Sequence, residues 1–260
     1  MFENKTQEEI LNEWYSSMNE DDRLVADKAH NVEFITTTKF IEKYLKPGMK
    51  ILEVGAGTGR YSLYYAEKGY DVTSLELVKH NIDVLKTHIK DNMNISVMQG
   101  TATDLSMFED NTFDMVLNLG PLYHLPEDKD MKKAIEESIR VCKKDGIMFF
   151  AMLTNNSTFV NEVKKNHNYL LGNYYNHNTF DLVDIPFVFL RIEEIKELFN
   201  NYNINRLHLV GQDGISEILS EHINNFTDEE YEMWIKYILS SCEDESIIGY
   251  SSHIIYICQK

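Results

Sequence analysis

At 260 residues, with 43% hydrophobic and 12% aromatic residues but only 4 prolines and 12 glycines, the chain can bury one large core, which argues against disordered and fibrous classes. A formal net charge of -17 makes the average surface repel polyphosphate, so no nucleic-acid partner is expected and a small neutral or cationic ligand fits better. Cys142, Cys242 and Cys258 lie far apart without C-x-x-C spacing, which suggests neither a disulfide framework nor structural zinc and points to a reducing cytoplasm.

The opening MFENKTQEEILNEWY is acidic and amphipathic, and no apolar run approaches the roughly 20 residues that span a bilayer, so neither secretion nor membrane insertion is expected. Apolar residues at helical intervals over 6–18 and 22–45 predict a helical lead-in that stops at Pro47-Gly48. From Met49 the pattern becomes short apolar runs separated by helix-length segments: KILEVGAG, a helix to Gly69, DVTSLEL, a helix to about Lys90, ISVMQG, FDMVLNLG, a helix over 127–143, and IMFFAML. Such alternation predicts an α/β fold with parallel strands joined by right-handed crossovers. After Leu153 the order loosens into the Asn- and Tyr-rich NHNYLLGNYYNHNTF, followed by a helix near 191–200, the strand-like INRLHLVG, helices near 213–225 and 227–242, and a last strand SSHIIYICQ. With no repeat and no Pro-, Gly- or Ser-rich linker, one domain is expected over 1–260, in which 1–47 is a helical lead-in or lid, 48–154 the core, and 155–260 lid insertions and C-terminal strands.

Glu53-Val54-Gly55-Ala56-Gly57-Thr58-Gly59 places a buried strand directly before a tight turn and a helix, where an open α/β sheet binds ligands. A dinucleotide fingerprint is G-x-G-x-x-G, whereas here Arg60 stands where its third glycine would fall, so a nicotinamide-dependent oxidoreductase is the weakest reading. Glu76 closes the second strand, 21 residues beyond Gly55, and its carboxylate can accept hydrogen bonds from both hydroxyls of a ribose. Asp104, in the loop GTATDL, is placed to accept from an adenine amino group, with Ala102 and Leu105 flanking the ring.

These residues resemble the class I S-adenosylmethionine-dependent methyltransferases, closely over about 30–155 and in outline elsewhere. The resemblance implies a doubly wound, Rossmann-like, mostly parallel seven-stranded sheet of order 3-2-1-4-5-7-6 with the last strand antiparallel. It implies S-adenosylmethionine as cofactor, with Gly55 and Gly57 against its methionine part, Glu76 on the ribose and Asp104 near the adenine. The candidate cofactor set is Glu53, Gly55, Ala56, Gly57, Gly59, Glu76, Leu77, Ala102, Thr103, Asp104 and Asn118, with Glu53 read either as a contact to the cofactor ammonium or as a cap on the glycine turn.

The stretch Asn118-Leu119-Gly120-Pro121-Leu122-Tyr123-His124-Leu125 follows the fourth strand, where the transferred methyl should point. It departs from the Asn/Asp-Pro-Pro-Tyr/Phe motif of enzymes that methylate amino groups of bases or glutamine, and GPLYHL with the later KKDGIMFF resembles the bacterial small-molecule methyltransferases. Methyl transfer is an in-line displacement that needs an aligned acceptor, excluded water and a proton acceptor when the nucleophile carries a proton. His124 is the candidate base, and Tyr123 a candidate for catalysis or for the pocket wall; either side chain could equally be packing. Tyr169, Tyr174, Tyr175 and Phe180 are candidates for an amphipathic wall around an aromatic or moderately apolar acceptor, which Trp14 and Tyr15 on the N-terminal helix could close, or for a satellite core. His167 and His177 match no common ligand spacing, so no metal is expected. Two further readings stay open: methylation of RNA or protein on the same fold, and a module that binds the cofactor without catalysis. The expected assembly is a monomer or homodimer.

Overall fold

The computed structural model describes residues 5–17, 20–183 and 186–260. Strands β1 (Lys50–Val54), β2 (Asp71–Glu76), β3 (Ile95–Gln99), β4 (Phe113–Asn118) and β5 (Cys142–Thr154) pair in parallel in the order β3-β2-β1-β4-β5. A central parallel strand is covered on both faces, so β1 and β4 are apolar almost without alternation, while β3 at the edge is only partly buried. Beyond β5 come a two-residue strand β6 (Phe189–Leu190) parallel to it, β7 (Asn205–Gly211), and β8 (His253–Gln259), which runs antiparallel to both β5 and β7. The order β3-β2-β1-β4-β5-β8-β7 is the one expected, with β6 as an addition that so short a run does not betray.

Side chains alternate between two cores. Leu52, Val54, Leu75, Val116 and Phe150 pack on one face, and Ile51, Val72, Met115, Leu117 and Phe149 on the other.

Helix α1 (Gln7–Ser17) follows the expected lead-in, but α2 (Lys28–Tyr44) starts later than predicted, after a 3-10 turn at Glu20–Val25. Asp27 sets that start, its side chain accepting from His30 N at 3.0 Å. The crossovers are α3 (Arg60–Glu67), α4 (Lys79–His88) and α5 (Asp128–Val141). The stretch after Leu153 opens with α6 (Asn155–Lys165), a helix the sequence pattern concealed, and continues through α7 (Ile192–Phe199). Of the helix expected near 213–225, only α8 (Ser220–Ile223) is α-helical. Asp213 is instead tied to the chain before β8, accepting from Ser252 N at 2.8 Å, and Gly214 takes a positive φ of 55°, so helix cannot begin there. Helix α9 (Asp228–Ser241) is closed by a reciprocal cap between Thr227 and Glu230.

The chain runs outward from β1 through β2 to β3 and then returns to β4 on the other side of β1, so the strand order reverses there, and a crevice opens beyond the carboxyl ends of β1 and β4. Helix α1 packs against α4 above that crevice. Among the described residues no helix is long and apolar enough to cross a membrane. Cys142, Cys242 and Cys258 are buried free thiols.

Candidate active site

The glycine turn forms the floor of the crevice. Gly55 N and Ala56 N both donate to Leu75 O, at 2.8 and 3.0 Å, which folds the end of β1 back against β2. Gly55 takes φ +71°, and a Cβ there would stand 2.6 Å from Pro121 Cγ, so only glycine lets this turn lie against the turn after β4. Gly59 serves packing instead: it lies outside the cavity lining, and a Cβ on it would meet Leu85 of α4 at 2.6 Å. The cavity is lined by the strand ends at Glu53, Gly55, Glu76, Gly100 and Leu119, and flanked by Leu11 and Tyr15 of α1 with Arg23 and Leu24 of the following turn.

Two carboxylates are buried in its wall. Glu76, 6% exposed, accepts from Gly57 N at 2.7 Å and from Val78 N at 2.8 Å, one bond to each oxygen. The backbone thus aims the group and leaves each oxygen further capacity to accept. Burial raises the Glu76 carboxyl above its usual range, against the pull of those amides. Glu53 is 3% exposed and accepts from Ser62 Oγ on α3, which in turn accepts from Ser74 Oγ at 2.6 Å. Burial pushes Glu53 up to about 8 despite the bond from Ser62. Asn81 lines the same cavity, and its buried Oδ1 has no hydrogen-bond partner among the described residues. A carboxyl raised by burial, a second one held by backbone and an orphaned amide oxygen fit a ligand that brings an ammonium and several hydroxyl or amino donors, as S-adenosylmethionine does.

Of the other expected cofactor residues, Ala56, Gly57, Leu77 and Ala102 line the cavity. Thr103, Asp104 and Asn118 do not. Asp104 is exposed and accepts from Ser106 N at 3.0 Å, forming a local turn that carries the carboxylate away from the crevice. Asn118 is fully buried between β4 and α5, donating to Ser138 Oγ at 3.3 Å. The sequence reading missed Thr58, Arg60, Val78, Asn81 and Thr101 in the lining. Those residues follow the strand ends by a few positions, which is the signal that would have found them.

His124 ends a short 3-10 turn, Pro121–His124, and is 6% exposed. Its Nδ1 faces Pro186 O at 3.2 Å, and its Nε2 lies 2.7 Å from Tyr15 Oη. A carbonyl can only accept, so Nδ1 carries the proton and Nε2 presents a lone pair to which Tyr15 donates. Burial lowers His124 to about 4, and the ring is neutral at physiological pH. Tyr123, 8% exposed, donates to Leu119 O at 3.3 Å.

A second chamber adjoins the first and shares Tyr15, Arg23 and Tyr123 with it. Its lining joins an aromatic group, Trp14, Phe187 and Phe189, to a polar one that includes Glu33, Asp213 and His253 together with Glu162, Lys165 and Glu217. Apart from Trp14 these residues were not foreseen, because they come from α2, from α6, from β6 and the chain just before it, from the chain after β7 and from the start of β8. Tyr169, Tyr174 and Tyr175, expected on an acceptor wall, line neither chamber. Tyr169 and Tyr175 are buried in a separate aromatic cluster with the exposed Tyr174 at its rim: Tyr169 stacks on Tyr174 with centroids 5.1 Å apart, Tyr175 stacks on His177, and Tyr175 Oη donates to Leu170 O at 2.8 Å.

Residues 52–150 match the family described as methyltransferase domain. The chain is 33% identical over 112 residues to a ubiquinone biosynthesis O-methyltransferase of Pelagibacter ubique, covering 43% of this chain and 45% of that protein. It is 37% identical over 105 residues to a demethylmenaquinone methyltransferase of Renibacterium salmoninarum, covering 40% and 41%. The matched stretch thus spans less than half the length of these curated relatives. A SAM-dependent methyltransferase of Methanosarcina mazei shares the fold, with a TM-score of 0.56 and 19% identity over 85% of this chain and 96% of that one.

Proposed function

We propose that this chain, a class I S-adenosylmethionine-dependent methyltransferase by its central domain and its sheet, transfers a methyl group to an O, N or S atom of a small molecule held in the second chamber. The observation that carries the reading is the shared wall: Tyr15, Arg23 and Tyr123 line both the cofactor cavity and the adjoining chamber. When bound, the cofactor supplies an electrophilic sulfonium methyl. Glu53 would hold its ammonium and Glu76 its ribose hydroxyls, with Asn81 Oδ1 accepting from a further donor. Helix α1, through Leu11 and Tyr15, would exclude water from the junction.

Where the acceptor carries a proton, it passes to Tyr15 Oη as the tyrosine's own proton moves to His124 Nε2. The bond from Nδ1 to Pro186 O fixes the tautomer that makes this direction available. The net charge of -17 supports a small acceptor over a nucleic acid. The same reading takes the chain as a single domain, cytoplasmic, with 1–47 and 155–260 folded over 48–154, acting as a monomer or homodimer.

The test is parallel calorimetric titration with S-adenosylmethionine, S-adenosylhomocysteine and NAD, followed by an acceptor screen with labelled methyl. Micromolar binding of the first two without NAD is expected. Failure of both to bind the folded protein would overturn the reading.

A further inference from the structure

The polar lining of the second chamber includes a cluster drawn from three distant segments. Glu33 of α2 accepts from Arg23 Nη1 at 2.9 Å and lies 3.5 Å from His253 Nδ1. Asp213, after β7, accepts from His253 Nδ1 at 3.1 Å with one oxygen, and from Ser251 Oγ and Ser252 N with the other. Both carboxylates are therefore engaged by groups of the chain itself. His253, at the start of β8, pairs with Leu153 of β5 in the sheet register, so it sits at the same edge as the crevice. Burial disfavours its charge, but Glu33 and Asp213 outweigh that and hold the ring up at about 9, so it is an imidazolium at neutral pH. Its Nδ1 is committed to the carboxylates, and its Nε2 has no partner among the described residues. The side chain is 18% exposed and lines the chamber.

We infer that His253 is a specificity-determining residue, whose Nε2–H donates to an oxygen of the acceptor, and that the acceptor class is an apolar or aromatic body carrying a carbonyl or carboxylate oxygen. The inference rests on the reading of this chamber as the acceptor site. Trp14, Phe187 and Phe189 receive the body, with Trp14 edge-on to Phe187 at 5.6 Å. An ammonium group on the ligand would meet the imidazolium; Glu33 and Asp213 are engaged by Arg23, His253, Ser251 and Ser252, and Glu162 by Lys165 at 2.8 Å, while Glu217 also lines the chamber, so the choice between an anionic and a cationic head rests on contact with His253 itself.

The probes are benzoate and benzylamine, which differ in the charge of the polar head. The 260-residue chain, saturated with S-adenosylhomocysteine, is titrated with each while the ¹⁵N resonances of the His253 ring are followed by NMR. Benzoate should move Nε2 far more than Nδ1, and its affinity should fall about tenfold or more in His253→Leu, the scale of a lost charge-assisted hydrogen bond. His253→Gln, which retains a donor, should recover part of the loss. A cluster that only pins α2 to the sheet would leave Nε2 unmoved in the wild type, a readout that does not depend on whether the variants fold. Benzylamine binding in preference to benzoate, or benzoate binding without a shift at Nε2, would overturn the inference while S-adenosylhomocysteine binding keeps the methyl-transfer reading. Failure of S-adenosylhomocysteine to bind would sink that reading, and the Nε2 response to benzoate would still decide the role of His253.

Discussion

Binding of S-adenosylmethionine at pH 7 should release a proton, and Glu53 should be its source. Burial pushes this carboxyl up to about 8, so by mass action it is about nine-tenths protonated at pH 7 before the cofactor arrives. An ammonium drawn against it favours the ionised form and should bring it about two units or more below 7. The release at saturation is then about 0.9 proton per site, read as the slope of calorimetric enthalpy against buffer ionisation enthalpy.

Glu53→Gln keeps the shape and an acceptor for Ser62 but has no such proton to lose, so the slope should fall by about the same 0.9. The pH dependence of stability gives a second readout. A carboxyl whose folded value is raised keeps its proton longer in the folded state than in the unfolded one. Its ionisation therefore costs stability as pH rises from about 4.5 to 8, and Glu53→Gln should flatten that decline. Equal slopes in the two proteins, with the cofactor bound in both, would refute the assignment of Glu53 to the ammonium.

Glu76→Ala removes two charge-assisted hydrogen bonds to sugar hydroxyls, each worth about 1.5–3 kcal/mol, so cofactor affinity should fall about 100-fold or more by calorimetry. Asp104→Ala, at an exposed carboxylate bonded to Ser106, should change it by less than about twofold, within the usual range of surface substitutions, and a larger loss would show that the loop turns inward on binding. Tyr15→Phe breaks the route to His124 Nε2 and should lower kcat by about 100-fold for an acceptor that must lose a proton. Because burial holds His124 at about 4, the wild-type rate should show no limb near pH 6.5, and such a limb would contradict the neutral-imidazole account. Glu137 accepts from Arg140 Nε at 2.9 Å and from Leu105 N at 2.8 Å, and the Arg140 bonds, opposed by burial and aided by Leu105, lower it to about 2. Its stabilisation is present above the ordinary carboxyl value of about 4.5 and is lost as pH falls through about 2; Glu137→Gln should cost about 2 kcal/mol in denaturant unfolding at pH 7, the difference shrinking in acid.

The parallel sheet was legible because strands buried on both faces read as apolar runs separated by helices, while its strand order was legible only through the resemblance to the class I methyltransferases. Glu76 was legible from those runs: it ends β2 in register with Gln99, and strand direction alone brings it to the crevice beside Gly55. The two-residue β6 and helix α6 were hidden, the first by its length and the second by Asn155, Asn156 and Ser157, which favour turns in isolation.

What resisted reading was the direction of side chains off the regular elements. Asp104 and Ala102 stand two positions apart in one loop, yet Ala102 lines the cavity while Asp104 turns to Ser106, a choice made by a local Asx turn. The tyrosines of 169–175 were visible as composition, but whether rings face a ligand or one another depends on the 3-10 turn at His167–Leu171, and here they stack together. Tyr15 reaches the site because α1 packs on α4, which places its hydroxyl on His124 across 109 positions of sequence. The Glu33, Asp213 and His253 cluster is the extreme case, since each residue is unremarkable within its own segment. Only the antiparallel return of β8 beside β5, with α2 laid over that edge, makes them neighbours and leaves one imidazole nitrogen facing the chamber.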